Sequence, residues 1–340
     1  MEDLITKIQT SAYFIIAEIG MNHDGSLGNA YKLIEEAKNA GVNAVKFQLH
    51  ISSEETLKNA PTPPYFQAEK RYEYFERTSF SLDEWKNLLN FAHEKGLFFI
   101  VSPFSHKAVD LLEKINVDAY KIASGETTNL PLLEYIESKN KPIFLSTGMS
   151  NWKEIFNAID VLKNNLLVIF QCSSLYPCPS EKIGLNIIKD MKEKFKGLII
   201  GYSDHTLSNI SSIGAYIMGA KVFEIHFTLS KKMYGADAKF SLEPKEMLNY
   251  VNGIKLISNA LNNPINKDNI DDYKAMKLIF EKSIVAAENL NKGKVLKFKD
   301  FAFKKPGDGI RADRYKEILG KKLLRNISKN DKFEFNDLNS

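Results

Sequence analysis

The chain has 340 residues and a formal net charge of +4, with 44% hydrophobic and 26% charged residues. Its length exceeds what one hydrophobic core usually fills, which predicts one large and one small domain. The small net charge gives no support for nucleic-acid binding, and no apolar run approaches the roughly 20 residues of a membrane span. The acidic start, with Glu2 and Asp3, does not fit a signal peptide, so we expect a cytoplasmic protein. Cys172 and Cys178 match neither a zinc nor a disulfide pattern and are expected to be reduced.

Short apolar segments alternate with amphipathic segments from Tyr13 onward. The apolar segments are rich in β-branched and aromatic residues, as strands buried on both faces should be. They are Tyr13–Ile19, Ala44–Gln48, Leu97–Val101, Ala119–Ala123, Pro142–Ser146, Leu166–Gln171, Leu198–Gly201 and Val222–Phe227. The predicted helices are Asn29–Asn39, Leu82–Glu94, His106–Lys114, Pro131–Ser138, Trp152–Lys163, Glu181–Lys194, Ser208–Met218 and Glu243–Asn259. Eight such units over about 245 residues predict a (β/α)₈ TIM barrel, and the alternative, a doubly wound open sheet, lacks its Gly-x-Gly-x-x-Gly turn.

The connection after Gln48 is unusually long, at about thirty residues before the next predicted helix, and loops of this length are usually functional or disordered. It contains several prolines and aromatic residues, namely Pro61, Pro63, Pro64, Tyr65, Phe66, Tyr72, Tyr74 and Phe75. Its aromatic content argues against disorder. We therefore predict an ordered loop that lies over the barrel mouth.

The C-terminal part of the chain departs from the strand–helix pattern. A polar stretch predicts a linker at residues 262–280, between a barrel domain at 1–261 and a small β-rich domain at 281–340. Ser283–Ala287, Val295–Lys297 and Phe301–Phe303 are short strand-like pieces, and a Lys-Pro-Gly-Asp-Gly turn begins at Lys305. Because about sixty residues is small for an independent core, we expect this domain to pack against another surface.

Polar side chains stand at or just beyond the carboxyl ends of the predicted strands, which is where barrels of this class carry their active sites. They are Glu18, Lys46, Gln48, Ser102, Lys121, Ser124, Glu126, Ser146, Ser174, Tyr176, Ser203, His205 and His226. The ends of the seventh and eighth strands should be neighbours, so His205 and His226 could share one divalent metal ion. Two histidines that merely fall near strand ends are the alternative. His50, His93 and His106 lie on predicted loop or helix faces and are expected to be solvated.

Lys46 and Lys121 place ammonium groups in otherwise apolar strands, which is costly unless a negative group meets them. One explanation is a buried Lys–Glu pair, formed with Glu18 or Glu126. The other is a cradle for a substrate phosphate or carboxylate, which the serines at the neighbouring strand ends favour. We expect an anionic substrate.

Sequence motifs along almost the whole chain resemble one family of enzymes. The motifs are Ile-Ile-Ala-Glu-Ile-Gly-Met-Asn-His from Ile15, Val-Lys-Phe-Gln from Val45, Ser-Pro-Phe-Ser from Ser102, Tyr-Lys-Ile-Ala-Ser-Gly-Glu from Tyr120, Leu-Ser-Thr-Gly-Met from Leu145, Gly-Tyr-Ser-Asp-His-Thr from Gly201 and Glu-Ile-His-Phe-Thr from Glu224. Together they resemble the sialic acid synthase (N-acetylneuraminate synthase) family, which includes legionaminic and pseudaminic acid synthases. The turn at Lys305 resembles the family's C-terminal SAF (antifreeze-like) domain.

The resemblance implies a transferase that condenses phosphoenolpyruvate, an N-acylated hexose similar to N-acetylmannosamine, and water. The products would be a 2-keto-3-deoxy nine-carbon acid and phosphate, released by C–O cleavage. A Mn²⁺ or Mg²⁺ ion would be held by His205 and His226. Phosphoenolpyruvate would be bound by Lys46, Ser102, Lys121, Ser124, Ser146, Ser174 and Ser203. The sugar would be handled by Glu18, Gln48, Tyr176 and Asp237, with Glu18 or Glu126 acting on the water.

Three departures from the family pattern bear on the sugar. Ser174 stands where family members often have Asn, and the loop after the eighth strand is Tyr-Gly-Ala-Asp-Ala from Tyr234, often Pro-Gly-Pro-Asp-His elsewhere. Lys305 replaces an Arg that, in the family's domain-swapped homodimer, reaches the partner subunit's sugar, and Lys cannot form the same bidentate fork. All three leave the reaction in place, but we expect a sugar other than N-acetylmannosamine, such as a legionaminic- or pseudaminic-type precursor.

Two other functions are compatible with a barrel of this kind. A metal-dependent aldolase or epimerase would need the two histidines but has no use for two strand-end lysines and the serines. A non-catalytic sugar-binding protein would be expected to have lost some of the metal- or anion-binding residues, whereas all are present. The synthase is therefore the preferred hypothesis.

Overall fold

The computed structural model describes residues 3–62, 68–206, 208 and 210–339. The chain forms two compact units, and the boundary between them along the sequence lies between residues 263 and 264. The first unit is a closed barrel of eight parallel strands in sequential order. Its strands are β1 (Phe14–Gly20), β2 (Ala44–Leu49), β3 (Phe98–Pro103), β4 (Ala119–Ile122), β5 (Ile143–Ser146), β6 (Leu166–Cys172), β7 (Ile199–Asp204) and β8 (Val222–His226). The predicted (β/α)₈ barrel is thus confirmed.

Helices surround the strands, and each predicted amphipathic segment forms one. They are α1 (Leu4–Thr10), α2 (Leu27–Ala40), α3 (Ser52–Glu55), α4 (Arg71–Arg77), α5 (Leu82–Glu94), α6 (His106–Ile115), α7 (Leu130–Glu137), α8 (Trp152–Leu162), α9 (Leu185–Lys194), α10 (Ile210–Met218) and α11 (Pro244–Asn262). Capping boxes fix the starts of α5, through Ser81 and Glu84, and of α8, through Asn151 and Glu154. No helix in the described part of the chain has the length and apolarity that a bilayer crossing requires.

Alternate residues of each strand face the barrel interior, and their chemistry changes along the barrel. Phe14 and Ile16 of β1 belong to an apolar cluster at the end where the strands begin. The next inward residue of β1, Glu18, is aligned with Lys46 of β2 on one side and with His226 of β8 on the other. The fold therefore collects charged side chains at the carboxyl ends of the strands, above an apolar layer.

Helix α1 closes the opposite end of the barrel and was not predicted from the sequence. Leu4 and Ile8 are one helical turn apart, so they lie on one face of α1. Both are buried in the same apolar cluster as the interior residues of the strands. This short helix is therefore explained by burial inside the barrel end, which its own seven residues do not reveal.

The described part of the long connection after β2 is ordered and contains α3 and α4, neither of which was predicted. Thr62, Arg71, Tyr74 and Phe75 from this connection line the cavity at the barrel mouth, in agreement with the predicted position of the loop. The prolines and aromatic residues at positions 63–66, which contributed to that prediction, lie outside the described residues.

The second unit contains α12 (Lys274–Phe280), the antiparallel strands β9 (Ser283–Ala286) and β10 (Phe301–Lys304), and α13 (Tyr315–Ile318). The predicted linker is therefore helical in part, and Val295, predicted to lie in a strand, forms only an isolated bridge with Lys322. The second unit has a hydrophobic cluster of its own, made of Ile284, Ala286, Leu290, Leu296, Phe301, Ile310, Ile318, Leu323, Ile327, Phe333 and Leu338.

Gly201 of β7 leaves room for a neighbouring aromatic ring, which allows a test of barrel packing. A Cβ atom at this position would lie 2.6 Å from Cδ1 of Phe170, which is completely buried in β6. We expect Gly201→Ala to lower the free energy of unfolding by about 1–3 kcal/mol, measured by urea denaturation. Gly28→Ala in α2 is the control, because the nearest atom there is Oγ of Ser26 at 3.8 Å. Equal effects of the two substitutions would contradict this account of the packing.

Candidate active site

A cavity of about 430 Å³ opens at the carboxyl ends of the strands, a size suited to a small-molecule site. Except for Lys305, every residue predicted for the site lines it, namely Glu18, Lys46, Gln48, Ser102, Lys121, Ser124, Glu126, Ser146, Ser174, Tyr176, Ser203, His205, His226 and Asp237. Lys305 lies in the second unit, where its Nζ atom is 4.7 Å from the ring centroid of Phe280. The structure thus brings together side chains from strands and loops around the whole barrel.

Two lysines and two glutamates form the buried floor of the cavity. Lys46 Nζ lies 2.8 Å from Glu18 Oε2, and Lys121 Nζ lies 3.0 Å from Glu224 Oε2. Lys46 Nζ is also 3.7 Å from Glu224, so the four charges form one cluster. Each of these residues is at most 5% exposed. Both lysines are therefore in buried Lys–Glu pairs, but the partner of Lys121 is Glu224 and not Glu126.

Glu224 is a site residue that the sequence analysis did not assign. It lies two residues before His226 in β8, so the alternation of strand side chains directs both into the barrel. That spacing was a usable signal. Burial by itself would raise the pKa of Glu224, but the ammonium groups of Lys121 and Lys46 outweigh it and lower this pKa to about 2. Glu224 is therefore held as a carboxylate.

The two lysines of the floor differ in how far nearby carboxylates offset the effect of burial on their pKa values. Burial lowers the pKa of Lys121, and the nearby Glu224 carboxylate offsets this effect only in part. Burial also opposes the charge of Lys46, but Glu18 and Glu224 together raise its pKa. Lys46 is consequently the more firmly protonated lysine, because it lies between two carboxylates.

Small polar groups converge beside Lys121. Its Nζ atom donates to Ser146 Oγ at 2.7 Å, and the backbone N–H of Gly148 donates to Ser124 Oγ at 3.1 Å. Because Gly148 has no side chain, hydroxyl groups approach it closely: a Cβ atom there would lie 2.6 Å from Ser174 Oγ. The Lys121 ammonium with the Ser146 hydroxyl, and the hydroxyls of Ser124 and Ser174 in the same cavity, are a suitable environment for a tetrahedral oxyanion. Gly148 itself was not predicted as part of the site.

His205 and His226 line the cavity with their ring centroids 5.7 Å apart. His205 Nδ1 donates to the backbone carbonyl of Ser173, which leaves the lone pair on Nε2, 3.2 Å from the hydroxyl of Tyr176. Burial and the neighbouring His226 lower the pKa of His205 to about 3, so its ring is neutral at physiological pH. His226 Nδ1 is buried without a hydrogen-bond partner among the described residues.

The His205 imidazole fits a divalent metal, since metal-binding histidines typically donate their second N–H to a carbonyl or carboxylate, and the unpartnered Nδ1 of His226 is a second nitrogen that a metal could use. Within the described residues, no three His, Cys, Asp or Glu side chains group closely enough to bind a metal on their own. Among the described residues, the candidate metal ligands are therefore the two imidazoles of His205 and His226.

Asp204 fixes the end of β7 from the outer side of the barrel. Its carboxylate accepts hydrogen bonds from Ser211 Oγ at 2.6 Å and Ser212 Oγ at 2.7 Å, at the start of α10. Because side chains alternate along a strand, this outward anchor leaves Ser203 and His205 directed inward. The position of His205 thus depends on the strand–helix junction as well as on its own hydrogen bonds.

Acidic and amide groups form the wall near β1. Gln48 Nε2 donates to Glu18 Oε1 at 2.7 Å. A Cβ atom on Gly20, whose φ of +52° is unusual for other residues, would lie 3.2 Å from each of Gln48 Nε2, Glu18 Oε1 and Asp237 Oδ2. The glycine therefore allows an amide and two carboxylates to approach one another. Such a group of acceptors and donors suits the hydroxyls of a sugar.

At the rim, just outside the residues that line the cavity, side-chain contacts join the loops after β1, β2 and β8. Arg77 of α4 binds Asp24 at 2.8 Å and Glu69 at 3.0 Å, and the hydroxyl of Tyr234 donates to Glu69 at 3.2 Å. The Arg77 guanidinium also lies 5.7 Å from the Tyr234 ring centroid. The unusual loop that begins at Tyr234 is therefore packed against the connection after β2.

The expectation that His50 is solvated is wrong. Its ring lies between those of Phe75 and Phe104, and the residue is 6% exposed. Phe75 and Phe104 come from the connections after β2 and β3, so the residues next to His50 in sequence gave no sign of its burial. His106 is exposed, as expected, whereas His93 is half-buried, at intermediate exposure.

His23, which follows β1, provides a pH-dependent test of this part of the structure. Burial, with a smaller contribution from His50, lowers its pKa from 6.5 to about 3. As the pH falls below about 6.5, His23 therefore becomes protonated in the unfolded chain but stays neutral in the folded chain. The contribution of neutral His23 to the free energy of unfolding is fully present above pH 6.5 and is lost as the pH falls toward 3. Across this window, we expect the free energy of unfolding to fall up to about 1.4 kcal/mol per pH unit faster in wild type than in His23→Asn.

Urea denaturation at a series of pH values would measure both slopes. In wild type, the backbone N–H of Gly25 donates to His23 Nδ1 at 3.1 Å. The side-chain oxygen of asparagine can accept the same hydrogen bond. His106→Asn, at an exposed position on α6, serves as the control and should follow wild type. Parallel slopes for wild type and His23→Asn would mean that His23 does not titrate in this way.

Comparisons with known proteins agree with the resemblance. The NeuB family matches residues 33–266, and the SAF domain matches residues 281–338. N,N'-diacetyllegionaminic acid synthase of Campylobacter jejuni is 37% identical over 93% of this chain and 97% of that protein. Human N-acetylneuraminate-9-phosphate synthase is 34% identical over 94% of this chain and 90% of that protein. The crystal structure of a Leptospira borgpetersenii N-acetylneuraminic acid synthetase with citrate superposes with a TM-score of 0.67 at 29% identity, covering 78% of this chain and 90% of that one. The chain therefore belongs to the NeuB family, and it carries a SAF domain at its C-terminal end.

Proposed function

We propose that the chain is a nonulosonic acid synthase, which condenses phosphoenolpyruvate with an N-acylated hexose and water to give a 2-keto-3-deoxy nine-carbon acid and phosphate. The observation that carries this proposal is the division of one cavity into two chemically different walls. An ammonium and hydroxyl cradle lies around Lys121 and Ser146, and an amide and carboxylate wall contains Gln48 and Glu18. Two imidazoles, those of His205 and His226, line the same cavity.

The phosphate of phosphoenolpyruvate would bind in the cradle that Lys121 forms with Ser124, Ser146 and Ser174. Lys46 donates to Ser102 Oγ at 3.4 Å and extends the positive floor below the cradle. Ser203, 3.4 Å from Glu224 Oε1, completes the floor. Ammonium and hydroxyl groups bind anionic oxygens through charge-assisted hydrogen bonds, which favours this placement.

The reaction forms a carbon–carbon bond and then adds water. Carbon 3 of phosphoenolpyruvate attacks the aldehyde carbon of the open-chain sugar, which leaves positive charge at carbon 2, and water adds there before phosphate departs with its bridging oxygen. A Mn²⁺ or Mg²⁺ ion bound by His205 and His226 would supply a Lewis acid for the aldehyde oxygen. Gln48, Tyr176 and Asp237 would orient the sugar beside it.

Glu126 is better placed than Glu18 to orient the attacking water. Both carboxylate oxygens of Glu18 are already engaged, one with Lys46 and the other with Gln48. Glu126 lines the cavity and accepts a hydrogen bond only from Asn129 among the described residues, at 2.8 Å. A carboxylate with a free oxygen can accept the proton that water loses as it adds to carbon 2. We therefore assign the water to Glu126 and the sugar to Glu18.

The sugar is proposed to be a differently substituted acylated hexose and not N-acetylmannosamine. Tyr234 and the residues after it shape the rim beside Asp237, and they join the connection after β2 through Glu69. Lys305 would contribute one ammonium in a domain-swapped homodimer, as the resemblance implies. A single ammonium can donate to an acyl carbonyl but discriminates geometry less sharply than a planar guanidinium.

Phosphate release from phosphoenolpyruvate across a panel of acylated hexoses tests the function. We expect release to require both substrates and kcat/KM to be higher for diacetamido-trideoxyhexoses than for N-acetylmannosamine. Lys305→Arg should change this preference, whereas Lys304→Arg, whose parent lysine donates to Asn330 at 2.6 Å, is the matched control. Failure to release phosphate with every hexose would exclude the synthase, and sugar turnover without phosphoenolpyruvate would favour an aldolase or epimerase. A clear preference for N-acetylmannosamine, unchanged in Lys305→Arg, would exclude only the sugar hypothesis.

Metal removal tests the role of the two imidazoles. We expect chelation to abolish turnover and Mn²⁺ to restore it, because the proposed mechanism relies on the metal to polarise the aldehyde oxygen. His226→Ala should weaken Mn²⁺ binding, measured directly by electron paramagnetic resonance, while the thermal unfolding midpoint stays close to that of wild type. His106→Ala, outside the cavity, is the control. Full activity after chelation, or unchanged Mn²⁺ binding in His226→Ala, would exclude this metal site.

A further inference from the structure

His50 is enclosed on almost every side at the edge of the cavity. It follows β2, so it lies on the same face as Lys46 and Gln48. Its ring is stacked between Phe75, at a centroid distance of 3.6 Å and an angle of 3°, and Phe104, at 4.1 Å and 17°. The side chain is only 2% exposed. Neither ring face is free to contact a substrate.

Both ring nitrogens of His50 face oxygen atoms. Nε2 lies 3.0 Å from Gln48 Oε1, and Nδ1 lies 2.6 Å from Glu55 Oε1. Gln48 donates its amide N–H to Glu18, whose carboxylate accepts, and this fixes which way the amide points. The carbonyl of Gln48 must then face His50, so Nε2 donates to it. On the other side, Nδ1 and the Glu55 carboxylate share a short hydrogen bond, which holds the ring in place.

We propose that His50, braced by Glu55, is a positioning residue that holds the amide of Gln48, and through it the carboxylate of Glu18, in the orientation that binds the hexose. The inference rests on the proposed function, which places Gln48 and Glu18 on the sugar. Without the N–H of His50, the amide of Gln48 loses the donor that holds its carbonyl. The amide could then turn its carbonyl toward Glu18, where two acceptors would repel each other.

The position of Glu55 makes the inference testable from outside the cavity. Glu55 ends α3, its side chain is 5% exposed, and it is absent from the described lining of the cavity. Its second oxygen accepts from the backbone N–H of Ile51 at 3.4 Å. The start of the connection after β2 is thus linked to the sugar wall by a continuous series of hydrogen bonds, from Glu55 through His50 and Gln48 to Glu18.

Three substitutions of His50 separate hydrogen bonding from packing. His50→Phe keeps an aromatic ring in the stack and removes both hydrogen bonds. His50→Asn keeps a polar amide atom at the position of Nδ1 but has none at the position of Nε2. His50→Gln places an amide nitrogen near the position of Nε2. We expect kcat/KM for the best hexose of the panel to fall about tenfold or more in the Phe and Asn variants, the size of one lost hydrogen bond to a buried polar group. The KM for phosphoenolpyruvate should change less than about twofold, and the Gln variant should recover most of the loss.

Glu55→Ala provides the second arm of the experiment. It should lower kcat/KM for the hexose in the same direction as His50→Phe, and the double variant should lose little more than His50→Phe alone, because both act through one series of hydrogen bonds. His106→Phe is the matched control, since His106 is also stacked on an aromatic ring, Tyr135, at a centroid distance of 4.3 Å, but lies outside the cavity. This control should behave as wild type.

The possible failures are distinguishable. Absence of phosphate release by the wild-type protein with every hexose would overturn the proposed function, and the positioning role with it. An active wild type whose His50→Phe variant is equally active would show that the ring serves only to pack between Phe75 and Phe104, which overturns the positioning role alone. Equal losses for hexose and phosphoenolpyruvate would also overturn it, because they would indicate a general disturbance of the cavity.

Discussion

The structure depends on keeping two lysine ammonium groups inside an apolar barrel. Lys46 and Lys121 are 3% and 2% exposed, and removing such charges from water is favourable only if carboxylates meet them. Glu18 and Glu224 do so from other strands, with β1 lying between β2 and β8 once the barrel closes. The loss of Glu224 would leave the buried Lys121 without its carboxylate, at a cost of about 3–5 kcal/mol. The cavity floor therefore depends on the closure of the barrel, which brings these strands together.

The same pairing explains how the floor can receive an anion without losing its stability. A lysine ammonium has three N–H donors, and Lys121 directs them to Ser146 and Glu224 among the described residues, which leaves one donor for an anion. A bound phosphate would then add a hydrogen bond while the pair with Glu224 persists. The buried-pair and anion-cradle explanations of these lysines are thus compatible, and the proposed phosphoenolpyruvate site uses both.

The sequence contained enough information for the barrel and for most of the cavity, because strand alternation and the order of strand–helix units are local patterns. The pairing of Lys121 with Glu224 was missed because it depends on the closure of the barrel, which joins residues 103 positions apart. His50 was assigned to a solvated loop for a similar reason: its burial comes from Phe75 and Phe104, which belong to two other segments. The short helices α1, α3 and α4 likewise form through tertiary contacts, since four to seven residues carry too little periodicity to be recognised.

The cavity floor and its rim are held by interactions of different strength, and this difference bears on what each can determine. The floor pairs are buried inside the barrel, Lys46 with Glu18 on adjoining strands and Lys121 of β4 with Glu224 of β8 across the interior, so their geometry is rigid. The proposed type of reaction depends on these pairs. The rim is held by Arg77, whose side chain is 41% exposed, and by Tyr234, which is 47% exposed. Exposed ion pairs contribute little to stability, so residues at the rim can change with little effect on the barrel. The choice of sugar, which would depend on the rim beside Asp237, can therefore vary while the chemistry at the floor stays the same.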